Sequence, residues 1–215
     1  MPKFHSWSES GVKVIAGNTK LGKIPNLSLL PCVTCAKDAP CRNKGCYAKK
    51  LMYPSVRKAW THNTRLAGNP VEFFADLREQ FASRTVGWFR FFVSGDCPSY
   101  SFFCKMMEFV GEFPDTKFLI FTKRYGWANQ WLRKHTRPEN ATILFSAWPG
   151  YKMDNPNKLP VAWIRDGESK RRGLVRVGVD NRIPKDAIEC PGGCEHCGMC
   201  WNLPKLGRDV VFDKH

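Results

Sequence analysis

No apolar run in the chain approaches the ~20 residues that cross a bilayer; the longest are as short as Phe118-Leu-Ile-Phe121. The opening residues, Met1-Pro-Lys-Phe-His5, carry no apolar stretch of the secretory kind. Neither membrane insertion nor export is expected, and free thiols then belong in a reducing cytosol. Phosphate-loop, G-x-S-x-G and H-E-x-x-H patterns are missing, which removes the common NTPase, serine-hydrolase and metalloprotease readings. No internal repeat or low-complexity tract divides the 215 residues, so one domain with at most a small appendage is expected. Acidic residues are scarce, at 19 against 34 Lys and Arg, for a net charge of +15. Such an excess raises affinity for polyanions whatever the fold. The basic residues are spread out, with knots at Lys49-Lys50, Lys123-Arg124 and Lys170-Arg171-Arg172. They read either as a solvated surface that compensates anionic clusters, or as a contact surface for nucleic acid or a host protein.

Cysteine, by contrast, is abundant and clustered. Eight of ten fall in two windows: Cys32, Cys35, Cys41 and Cys46, then Cys190-Pro-Gly-Gly-Cys194-Glu-His-Cys197-Gly-Met-Cys200. Thiols this close, among Gly, Pro and Lys, cannot all be core residues. Several soft ligands gathered across a Gly-rich turn are what one metal ion or cluster demands. A disulfide scaffold is the alternative, but a chain of this length builds a core without staples. Zinc and iron–sulfur both accept four thiolates; zinc ribbons favour two C-x2-C knuckles, whereas the tail packs its four cysteines into one ferredoxin-like run. An iron–sulfur cluster, [4Fe–4S] or [3Fe–4S], is therefore expected, with zinc as the alternative, and the two windows hold either separate sites or one shared site. The bends at Gly192-Gly193 and Gly198 are expected to let backbone N–H groups reach the tail sulfurs. Cys104 sits at an apolar helix position and reads as core; Cys97, after Gly95-Asp96, stands closer to the chemistry.

Hydrophobic periodicity places these windows on a fold. Val12–Ile15 and Asn26–Leu30 read as strands, the second feeding the first cysteine loop. Asn69-Pro70 starts a helix with Val71, Phe74, Leu77 and Phe81 on one face. Apolar strands at Trp88–Val93, Lys117–Phe121, Thr142–Phe145, Val161–Ile164 and Val175–Val179 alternate with helical segments at Tyr100–Val110 and around Trp127–Leu132. Buried strands interleaved with helices predict an α/β fold with a parallel sheet, as a partial or distorted (βα) TIM-like barrel over 1–184. The Cys-rich tail, 185–215, is expected to pack on it. Chemistry in such folds sits at the carboxyl ends of the strands. The Cys32–Cys46 loop, Ser94-Gly95-Asp96, Lys123-Arg124 and Ser146-Ala147-Trp148 are all expected there.

A strand, a cysteine loop ending in Cys46-Tyr47, a helix, and a strand ending Ser94-Gly95-Asp96 resemble the radical S-adenosylmethionine enzymes. That resemblance implies a cluster held by Cys35, Cys41 and Cys46 with one iron open to S-adenosylmethionine. It also implies that Ser94, Gly95 and Asp96, with Lys123 nearby, hold the cofactor. The C-x3-C-x2-C spacing of those enzymes stands instead at Cys190, Cys194 and Cys197, and the front cysteines are spaced more widely. A second resemblance covers residues 10 to 202. Gly17-Asn-Thr-Lys20, Asn26–Leu30, Cys46-Tyr-Ala48, Phe91-Phe-Val-Ser-Gly-Asp96, Phe145-Ser-Ala-Trp-Pro-Gly150 and Cys200-Trp201 are similar to the bacteriophage family called gene product eighty-eight. It implies a viral protein working in host cytoplasm. Two functional classes stay open: a radical or redox enzyme at an open cluster iron, or a non-enzymatic zinc- or cluster-stabilised protein that binds nucleic acid or a host protein.

Overall fold

A computed structural model describes residues 6–43, 45–50, 53–165 and 182–213. The expected strand at Val175–Val179 and the basic knot at Lys170–Arg172 lie outside those residues.

Runs such as Lys117-Phe-Leu-Ile-Phe-Thr122 are too apolar for an exposed strand, and the chain buries them by pairing them in parallel. The strands are β1 Val14–Ile15, β2 Asn26–Leu27, β3 Trp88–Phe91, β4 Lys117–Thr122, β5 Ala141–Ser146, β6 Val161–Arg165, β7 Ile188–Glu189 and β8 Val210–Asp213. They form one eight-stranded sheet in the order β1-β2-β3-β4-β5-β6-β8-β7. β1 joins antiparallel at one edge, and every other pairing is parallel. The sheet is open: among the described residues no pairing joins β1 to β7. β7 and β8 belong to the segment expected to pack on the domain as a tail, yet they enter the same sheet beside β6.

The α-helices that precede β6 among the described residues are α1 Tyr47–Lys50, α2 Pro54–Leu66, α3 Pro70–Ala82, α4 Tyr100–Glu112 and α5 Tyr125–Leu132. The start of α3 is set as the Asn-Pro pair predicts: Asn69 Oδ1 accepts from the Glu72 N–H at 3.4 Å, and Pro70 occupies the first turn. Ser99 does the same for α4, accepting from Phe102 N–H at 3.1 Å. Strand alternation then divides the molecule into two layers. Phe89, Phe91, Phe118, Ile120, Ile143 and Phe145 point to α3, α4 and α5 and join Phe74, Phe81, Phe102 and Phe109 in one aromatic core. Leu119, Leu144, Ala162 and Val210 point the other way, where Trp201, Leu203 and the tail cysteines cover them. The two strands expected near the front are shorter than their apolar runs. Beyond Leu27 the backbone turns toward the cysteine loop, although Leu29 N–H still donates to the Ser94 carbonyl at 3.0 Å.

Candidate metal centre

β2 runs parallel to β3, so the chain leaving Leu27 arrives at the carboxyl end of the sheet, and the Cys32–Cys46 loop is built there. Cys32 enters it in the left-handed backbone region, φ 66°, which costs a non-glycine residue about 1–2 kcal/mol and bends the chain sharply. The loop is clamped to the strand ends. Thr34 Oγ1 accepts from the Asp96 N–H at 3.1 Å and donates to the Leu30 carbonyl at 3.1 Å. Arg124 reaches across with Nη2 to the Thr34 carbonyl, 2.8 Å, and with Nε to the Cys97 carbonyl, 3.2 Å. Gly95 makes the close approach possible. Its φ is +75°, and a Cβ there would lie 2.7 Å from both the Leu29 carbonyl oxygen and Thr34 Oγ1. Tyr47, at the start of α1, donates its hydroxyl to the Val93 carbonyl and ties the far end of the loop to β3.

All ten cysteines are free thiols. In the front window they are mutual neighbours. Cys32 N–H donates to Cys35 Sγ at 3.3 Å. Burial pushes up the Cys32, Cys35 and Cys41 thiols, Cys35 to about 11. Cys46 adds to the rise at Cys32 and Cys41, and Cys41 adds to it at Cys35. Two cations oppose that trend: Lys123 beside Cys41, and Lys49 beside Cys32. Lys49 also closes the loop by donating Nζ to the Arg42 carbonyl at 3.1 Å.

The expected cofactor-binding residues stand next to these thiols, with differing freedom. The Asp96 carboxylate is buried and committed: it accepts from Cys97 N–H at 2.7 Å, Thr122 Oγ1 at 2.8 Å and Lys123 N–H at 2.8 Å. Burial raises its pKa although all three donors oppose the rise. Asp96 therefore binds β3 to β4, and its charge reaches Cys35. Lys123 donates Nζ to Ser146 Oγ at 2.6 Å and lies 5.9 Å from the Trp148 ring centroid, which brings the end of β5 into the mouth. Ser94 donates its N–H to Ser28 Oγ at 3.2 Å, while its own hydroxyl is buried without a hydrogen-bond partner. A donor-acceptor group is thus left over at the strand end.

The second window lies elsewhere. Cys190 follows β7, and its N–H donates to the Val211 carbonyl at 2.9 Å. Cys194 opens a single helical turn, Cys194–Cys197, between two left-handed glycines. Cys190, Cys194 and Cys200 pack on the sheet face away from the helices. Burial drives Cys200 up to about 12, with Cys190, Cys194 and Cys197 adding to the rise. Three backbone N–H groups of this turn donate to carbonyls: Cys194 N–H to Lys20, Cys197 N–H to Gly193 and Gly198 N–H to Cys194. Cys97 is buried with Sγ 3.3 Å from the Ser99 carbonyl, and Cys104 packs against the main core.

Sequence reasoning placed Arg124 at this mouth but did not single out Thr34 or Arg90. Arg90 had a legible signal, being the one charged residue inside Trp88–Val93. Among the described residues, no three His, Cys, Asp or Glu side chains are gathered closely enough to hold a single metal ion. No helix of the described residues is long and apolar enough to cross a membrane. A family model described as gene product 88 matches residues 9–203. No curated protein and no solved structure matches the chain.

Proposed function

The chain belongs to the gene product 88 family of bacteriophage proteins, and from that premise we propose that it is an iron–sulfur protein of the host cytoplasm. Its open sheet then acts as the wall of an unclosed (βα) barrel with a cluster at the mouth. The observation that carries this reading is the clamp of Thr34, Gly95 and Arg124, which delivers four free thiols to the strand ends beside Lys123. A single zinc ion needs its sulfurs within about 3.8 Å of one another, as tetrahedral geometry and Zn–S bonds of about 2.3 Å require. A cubane cluster spreads its ligands wider, because iron and sulfide stand between them. The front thiols are close enough to act on one another, and the wide spacing of Cys35, Cys41 and Cys46 after a strand suits a cluster cradled at the mouth.

When bound, a cluster supplies one-electron chemistry. The residues of the chain supply the rest. Cys35, Cys41 and Cys46 are the ligands by position, Lys123 offers positive charge beside Cys41, and Ser94 and Ser146 present hydroxyls at the same mouth. Cys32 decides the class of activity. Left out, it leaves one iron for an exchangeable ligand and a radical or redox reaction; as a fourth ligand, it closes the site and leaves a binding protein with a basic surface.

Anaerobic purification should give a brown protein with about four iron atoms in the front site and a cluster spin signal after reduction. A colourless protein with stoichiometric zinc and no iron would overturn the proposal. Titration with S-adenosylmethionine should perturb the cluster spectrum. An unchanged spectrum, together with salt-sensitive retention of DNA, would assign the binding role instead.

A further inference from the structure

The face of the sheet opposite the helices contains a half-buried cation, Arg90, that makes no ion pair among the described residues. β3 alternation sends Phe89 and Phe91 into the aromatic core and places Trp88 and Arg90 on the other side. The Arg90 guanidinium lies 4.3 Å from the Phe121 ring centroid, and its Nε is buried without a partner. Withdrawing part of a charge from water in that way is costly unless negative charge stands close by. Two thiols lie within reach of it besides the Tyr47 phenol: the charge of Arg90 acts on Cys194 and Cys200, and that of Lys20 on Cys194. Lys20 is held over the Phe212 ring at 4.7 Å. Glu195 is not paired with Arg90; its Oε2 accepts from the Lys23 N–H at 3.0 Å.

We infer that Cys190, Cys194, Cys197 and Cys200 hold a second, coordinatively complete iron–sulfur cluster on this face, with Arg90 as its counter-ion. Four thiolates around a [4Fe–4S] core of charge 2+ leave a net −2, which Arg90 and Lys20 together balance. The backbone is shaped for such a wrap. Gly192, Gly193 and Gly198 all take left-handed φ values, 80°, 57° and 59°. Gly198 also lies so close to Trp88 that a Cβ would sit 2.4 Å from its ring. Trp88 and Trp201, stacked at 5.3 Å, belong to the same apolar layer as Cys190, Cys194 and Cys200, which leaves those cysteines half-buried. The inference goes beyond the front site and does not rest on it.

The test compares the anaerobically isolated full chain with Cys35→Ser/Cys41→Ser and Cys194→Ser/Cys197→Ser variants, each checked for folding by circular dichroism, with Cys104→Ser as control. The front-window variant should keep about four iron atoms per chain and a spin signal that the tail variant lacks. Full iron in the tail variant, or zinc in the tail of the front variant, would overturn the inference while leaving the front proposal standing. Loss of all metal from both variants would show one shared site and overturn it as well. Arg90→Met should shift the midpoint potential of the tail signal downward, since removing a nearby positive charge favours the oxidised cluster, and Arg90→Lys should largely restore it. An unchanged potential in Arg90→Met would remove the counter-ion role.

Discussion

At the scale of single residues, the front site depends on backbone geometry as much as on its thiols. Gly95 has to be glycine twice over, for its left-handed φ and for the space next to Leu29 and Thr34. Gly95→Ala should therefore cost more than the about 1–2 kcal/mol of the conformation alone, and it should release the cysteine loop. Gly45 is the control: its φ is +97°, with nothing within 4 Å of the place a methyl group would take, so Gly45→Ala should show only the conformational cost. Urea midpoints of the two variants measure the difference. Thr34→Val removes the acceptor of a buried N–H and the donor to Leu30, a loss of about 1–3 kcal/mol. If metal content survives Thr34→Val and Gly95→Ala unchanged, the clamp has no part in building the site.

At the scale of elements, α3 and α4 are each started by a side-chain cap. Ser99→Ala should lower stability by about 1 kcal/mol, since Phe102 N–H loses its acceptor at the first turn of α4. α3 and α4 are also linked by Arg78 and Glu112, which meet at 2.5 and 2.7 Å. The hydrogen bonds from Arg78 hold the Glu112 carboxyl below its ordinary value of 4.5. A depressed carboxylate contributes stability that is present above the ordinary value and lost as pH falls through the folded one. With the two side chains 34% and 44% exposed, that contribution stays below about 1 kcal/mol. Glu112→Gln should flatten the acid limb of the stability profile below pH about 5 and leave neutral stability little changed. An acid limb identical to that of the parent chain would mean that the pair is not formed in solution.

At the scale of the molecule, the C-terminal segment is structural. β8 pairs with β6, and Trp201 donates Nε1 to the Phe89 carbonyl at 3.3 Å while its own carbonyl accepts from Thr142 Oγ1 at 3.0 Å. The segment therefore covers one face of the sheet, opposite the face that the helices cover. Trp201→Ala should cost about 3–5 kcal/mol, in the range of large core truncations, and the whole chain should still melt in one transition because the sheet is shared. A separate early transition for the tail, followed by tryptophan fluorescence, would show it to be an independent module.

Much of this was legible in the order of residues. The apolar runs at Lys117–Phe121 and Thr142–Phe145 had no wet face, which required a sheet covered on both sides, and Asn69-Pro70 marked a helix start by local chemistry alone. The cysteine windows and their Gly-rich turns were equally plain, as was the position of the front loop after a strand. Other features needed the tertiary structure. Asp96 reads as a ligand-holding residue in sequence, but in the fold its oxygens are used by Thr122, Lys123 and Cys97, partners up to 27 residues away. Arg90 is a lone charge in an apolar strand until the sheet sets it beside cysteines about a hundred positions later. Local patterns determined which segments are strands, helices and thiol-rich turns, because those depend on neighbours in the chain. Which charge meets which thiol was decided only by strand order and by the two faces of the sheet, because those contacts are made across the fold.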